Sequence, residues 1–125
     1  TPLDLQESTT VGDRIGELKD SDGYDHNFVI DRWDGLNCRM IAEVIEPRRG
    51  RRMEVHTTQP GVQFYTGNFL SGLAGKGGAV YNRHSGLCLE TQHFPDSVNH
   101  PAFPTTILRP GELWRHTTEY RFSTL

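Results

Sequence analysis

His84-Ser85-Gly86-Leu87-Cys88-Leu89-Glu90-Thr91-Gln92 reads as a short strand with one acidic residue at the end of an otherwise apolar run. Strand side chains alternate between two faces, so Leu87 and Leu89 share one and Cys88 and Glu90 the other. Cysteine is a residue type usually buried, which predicts that the second face is covered as well. A carboxylate on such a face needs partners or a ligand, because an unpaired buried charge is costly. Glu90 is therefore either one member of a structural ion pair or a working base.

The same alternation recurs upstream. In Val62-Gln63-Phe64-Tyr65-Thr66, the residues Val62, Phe64 and Thr66 share one face and Gln63 and Tyr65 the other. Gln63 supplies a donor and an acceptor to whatever its face lines. Earlier still, Gly23-Tyr24-Asp25-His26-Asn27-Phe28-Val29-Ile30 runs from polar side chains into an apolar strand, after a turn signal at Asp20-Ser21-Asp22-Gly23. Asp25, His26 and Asn27 either line a polar pocket or form an Asx-type turn before the strand.

Met40–Glu46 and Met53–Thr58 read as a hairpin around Pro47-Arg48-Arg49-Gly50-Arg51-Arg52. Asp31–Asn37 reads as a turn with Trp33 over it. Val11–Leu18 predicts one or two weak helical turns with Ile15 and Leu18 inward, and Thr1–Leu5 the tail of a strand. The prolines between His93 and Pro101 leave room for one helical turn at most. Pro104–Arg109 predicts the start of a strand. Leu113–Phe122 alternates cleanly and predicts a half-solvated antiparallel strand. About seven to nine short strands with little helix make the fold class all-β.

Composition narrows the function. The 125 residues suit one domain with a modest core. A net charge of −3 gives no reason to expect nucleic acid or an anionic membrane, and the arginines around Gly50 sit in a turn without interleaved aromatics. No run is apolar enough to span a bilayer as a helix, and no signal peptide is legible. The six histidines nowhere pair at metal-ligand spacing. Ser71–Gly78 lacks the Ser or Thr that follows the lysine of a phosphate-binding loop, and reads as a flexible surface loop. His84-Ser85-Gly86 has Arg83, not glycine, two residues before the serine, so it is no nucleophile elbow. Cys38 and Cys88 read as thiols in a reducing compartment, which places the protein in the cytoplasm. A first residue other than methionine and a 34% hydrophobic share predict a part of a larger protein, cut or separately encoded.

Three stretches together carry a resemblance. Gly23-Tyr24-Asp25-His26-Asn27-Phe28, Thr57 through Asn68, and His84 through Gln92, continued by Pro95-Asp96, Asn99 and Leu108-Arg109-Pro110-Gly111-Glu112, resemble the aldose 1-epimerase (mutarotase) family. The resemblance covers nearly all of this chain but only the C-terminal part of the family's length. It implies an antiparallel β-supersandwich, of which residues 1–125 are the C-terminal part of a single domain whose N-terminal part is absent here. It implies interconversion of the α and β anomers of galactose or glucose, without a cofactor or metal. Glu90 matches the general base that takes the proton from the C1 hydroxyl. Asp25 matches a sugar-hydroxyl-binding aspartate and Gln63 a sugar-contacting glutamine. A histidine protonates the ring oxygen, the ring opens, and rotation about C1–C2 before closure gives the other anomer. That histidine, a second one and a sugar-binding arginine belong to the family's N-terminal part. The resemblance thus predicts an aldohexose substrate and a separate chain carrying the N-terminal part as partner, with the isolated chain inactive. The alternative is a non-catalytic sugar-binding or regulatory module, for which a base beside C1 would have no use.

Overall fold

The computed structural model describes residues 1–19 and 21–125. The chain is all-β with antiparallel sheets and very little helix. The strands are β1 (Asp25–Val29), β2 (Arg39–Glu46), β3 (Arg51–Thr57), β4 (Gly61–Tyr65), β5 (Leu73–Ala74), β6 (Val80–Tyr81), β7 (Cys88–Gln92) and β8 (Thr118–Thr124). They form three sheets, with orders β1-β4-β7, β2-β3-β8 and β5-β6. The chain divides into two compact units, Thr1–His26 with Gln63–Leu89, and Asn27–Val62 with Glu90–Leu125.

The first unit is organised around Tyr24, which is fully buried and stacks on Phe64 with ring centroids 4.8 Å apart. Phe64 and Thr66 are buried here, and Val62, which belongs to the second unit, is buried as well, as their alternation predicts. The weak helical segment is one α turn, α1 (Val11–Arg14), followed by a 3-10 turn over Ile15–Glu17, with Ile15 and Leu18 half-buried. Residues 1–5 are not a strand. Asp4 N–H closes a turn on the Thr1 carbonyl, and Arg14 Nη1 caps the Thr1 and Asp4 carbonyls at 3.3 and 2.8 Å. Ser71–Gly78 is more ordered than a plain loop. It holds β5, which pairs with β6 through Leu73–Tyr81 and Ala74–Val80. The Tyr81 ring lies where a Cβ on Gly75 would stand, which is why a glycine serves there. Of the Asp20–Gly23 turn signal, Asp20 lies outside the described residues. Ser21 Oγ donates to the Gly23 carbonyl at 2.6 Å.

The second unit is built on the β2-β3 hairpin. Its register runs from Glu46 opposite Arg51 to Arg39 opposite Thr57, with an irregularity between Met40 and Ala42. Gly50 turns the loop in the left-handed region, at φ 67°. One face of the β2-β3-β8 sheet is apolar, with rows Ala42-Val55-Tyr120 and Val44-Met53-Phe122, and the other carries Glu43, Glu54 and Arg121 in line. Each loop arginine from Arg51 on is paired, Arg51 with Glu46 and Arg52 with Glu43 and Glu54. Trp33 does pack over its turn against Gly35, and its indole N–H donates to the Thr58 carbonyl at 2.8 Å.

Three further expectations about strands are corrected. Cys88 and Glu90 are exposed, so that face of β7 is not covered. Pro104–Arg109 forms no strand, because Pro104 and Pro110 bound it and proline cannot donate to a ladder. The last strand starts at Thr118 and not at Leu113. Its partner β3 ends at Thr57, opposite Thr118, and His116 and Thr117 instead bond the Thr58 hydroxyl. The helical turn expected near Pro95 is a single 3-10 turn, Ser97–Asn99.

Candidate functional site

Asp25 opens β1 and Gln63 is central in β4, its neighbour in the sheet. Gln63 Nε2 donates to Asp25 Oδ1 at 2.8 Å. The bond fixes the glutamine's orientation, leaving Gln63 Oε1 and Asp25 Oδ2 as acceptors for hydroxyl groups. Asp25 is exposed and Gln63 half-buried, so both are open to a ligand. Asp25 borders a hollow of about 680 Å³ with Lys19, Asp22, His26 and Phe69.

Neighbouring backbone holds Asp25 in place. The buried residue before it, Tyr24, gives its N–H to the Thr66 hydroxyl at 2.9 Å, and its carbonyl accepts from Asn68 Nδ2 at 3.0 Å. The tyrosine's own hydroxyl donates to the Pro2 carbonyl, and burial pushes its pKa up. Gly23 leads in at φ 144°, where a Cβ would stand 2.3 Å from Asn68 Oδ1.

The two histidines in these stretches have distinct proton positions. Asp25 N–H donates to His26 Nδ1 at 3.0 Å, so the neutral ring carries its proton on Nε2. His84 Nδ1 lies 2.8 Å from the Thr66 carbonyl, which only accepts, so this ring carries its proton on Nδ1. Two aromatic residues stand beside the Asp25–Gln63 pair, Tyr65, which the alternation places on the Gln63 face, and Phe69, which the sequence pattern does not single out. Tyr65 shares the Gln63 face and stacks on Phe69 at 6.1 Å, and Phe69 N–H donates to the Tyr65 hydroxyl. Phe69 is largely exposed on the rim of the hollow. The period-two spacing from Gln63 to Tyr65 was the available signal.

In the second unit, Glu90 is central in β7 and exposed. Gln92, two residues on, donates from Nε2 to Asn27 Oδ1 at 3.1 Å. A separate cluster joins His93 and His116 edge to face, with centroids 5.1 Å apart and Trp33 and Trp114 on their flanks. His93 Nδ1 contacts Gln59 Oε1 at 2.7 Å. Burial, aided by His116, lowers the His93 pKa. No described helix is long and apolar enough to cross a membrane. The structure thus joins Asp25 and Gln63 directly and describes Glu90 within the other unit.

Known proteins extend this picture. A sequence model of the aldose 1-epimerase family matches residues 1–121. The chain is 52% identical to galactose mutarotase of Mus musculus and 50% identical to that of Homo sapiens, each over 124 residues. Both matches take in 98% of this chain and 35% of the relative. Aldose 1-epimerase of Escherichia coli (strain K12) is 42% identical over 102 residues, 80% of this chain and 29% of that protein. The chain spans about a third of the length of these relatives and corresponds to their C-terminal portion. With its all-β architecture and a family match over nearly its whole length, the chain belongs to the aldose 1-epimerase family.

Proposed function

We propose that this chain is the C-terminal part of a single aldose 1-epimerase domain, and that it supplies the general base and part of the sugar site for interconverting the anomers of an aldohexose. The observation that carries the reading is the family match over residues 1–121, with relatives named galactose mutarotase and aldose 1-epimerase. The Asp25–Gln63 pair supports it, because it presents oriented acceptors to hydroxyl groups. Glu90 takes the proton of the C1 hydroxyl as the ring opens and returns one as it closes. Its exposure lets a substrate reach it. An acid outside these residues protonates the ring oxygen, so that neither an alkoxide nor an oxocarbenium ion forms unaided. Each such group contributes about 10² to 10⁴-fold. The chain acts together with the N-terminal portion that its relatives possess, and two exposed thiols, Cys38 and Cys88, favour a reducing compartment such as the cytoplasm.

The test is a chimera of the mouse relative in which this chain replaces the matching 124 residues. Polarimetry follows fresh α-D-galactose to its anomeric equilibrium. The chimera accelerates the approach over buffer, and Glu90→Gln lowers kcat by about 10²-fold or more while sugar still binds. Normal turnover in Glu90→Gln would refute the assignment of the base.

A further inference from the structure

Strand β4 lies between β1 and β7, and at Gly61 it presents no side chain to either. Asn27 of β1 and Gln92 of β7 meet there, with Gln92 Nε2 donating to Asn27 Oδ1 at 3.1 Å. A Cβ on residue 61 would stand 2.8 Å from Asn27 Oδ1, 3.0 Å from Asn27 Nδ2 and 3.1 Å from the Phe94 ring. The missing side chain is therefore what allows the two outer strands to be joined above the middle one. Both bridging residues are half-buried, which limits competition from water.

Glu90 stands two residues before Gln92, on the same face of β7 and about 7 Å along it. Among the described residues, no hydrogen bond or ion pair holds its carboxylate. Its aim is set by the strand that carries it. We infer that the Asn27–Gln92 bridge over Gly61 is a positioning device for the Glu90 base, with Gln92 acting through β7 and not on the sugar. The inference rests on the proposed role of Glu90. A general base must reach its proton within hydrogen-bonding distance, and a displacement of about 1 Å costs on the order of 10²-fold in rate. Losing the bridge should therefore act on kcat.

The experiment uses the same chimera with Gln92→Leu, Gln92→Asn, and the exchange Asn27→Gln with Gln92→Asn. Leucine removes the donor. Asparagine is one methylene too short to reach Asn27. The exchange restores the combined length and the amide-to-amide bond. The expected result is a kcat about tenfold or more lower in both single variants, KM within about twofold of the parent, and recovery of most of kcat in the exchange. Single variants at parental kcat overturn the proposal. So does an exchange variant no better than Gln92→Asn while its melting temperature matches the parent. An inactive parent chimera removes the mutarotase reading and this proposal with it. An active parent with indifferent variants removes this proposal alone.

Discussion

Tyr24 and Thr66 are tied to each other in both directions: Tyr24 N–H donates to the Thr66 hydroxyl at 2.9 Å, and Thr66 N–H donates to the Tyr24 carbonyl at 3.1 Å. The Thr66 hydroxyl in turn donates to Asn68 Oδ1 at 2.7 Å, and Asn68 Nδ2 returns to the Tyr24 carbonyl. All three residues are buried, so water cannot replace a lost member. Thr66→Val keeps the shape and removes the acceptor. It leaves the Tyr24 N–H buried without a partner, at a cost of about 1–3 kcal/mol. Chemical denaturation should show a lower midpoint with an unchanged slope, and an unshifted midpoint would mean that the network is dispensable.

Asp25 follows directly in the chain, and its charge is separable from its geometry. In Asp25→Asn the Oδ1 atom that accepts from Gln63 remains, so the Gln63 orientation persists. Only the charged acceptor offered to a sugar hydroxyl is lost. Hydrogen bonds to charged groups exceed neutral ones by enough to predict a fall in kcat/KM of about 10 to 100-fold in the chimera, carried mainly by KM. A kcat loss with KM unmoved would give Asp25 a role in the chemistry and not in binding.

Alternation predicted the inward faces correctly where the sheet is packed, as at Val62, Phe64 and Thr66. It failed at Cys88 because residue type gives only an average burial, and nothing local states whether a second layer covers a strand. It overran at Leu113–Thr117 because a strand ends where its partner ends, and the end of β3 at Thr57 is written sixty residues away. The pairing of β5 with β6 is not legible because two-residue ladders have no period to detect. Asp25 and Gln63 each stand out from the strand pattern, and the family resemblance adds their sugar-binding roles, but the bond between them requires β1 beside β4, which only the fold supplies. The need for a glycine at position 61 is not legible in the sequence, since the Asn27–Gln92 bridge that requires it joins residues 65 apart.

Arg52 separates two carboxylates that the hairpin register places directly opposite each other, Glu43 and Glu54. Arg52→Gln leaves them facing without a cation, and like charges in that position destabilise a strand pair. The site is partly open to solvent, so the melting temperature should fall by only a few degrees at low salt and by less at high salt. Adding Glu43→Gln should restore it. A loss insensitive to salt would point to packing of the arginine stem instead.

His93 predicts the direction of a pH dependence in stability. An unfolded histidine titrates near 6.5. Burial first, and the neighbouring His116 second, hold folded His93 below that value. As pH falls through about 6.5, the unfolded chain takes up a proton that the folded one resists, so the contribution is complete above that value and is lost between it and the lower folded pKa. The effect is opposite in sign to that of a histidine gaining an acidic partner. His93→Asn keeps an amide donor for Gln59 Oε1 and removes the titration. Melting temperatures between about pH 7.5 and 5.5 should fall in the parent and fall less steeply in His93→Asn. Parallel slopes in the two proteins would show that protonation elsewhere governs the acid sensitivity.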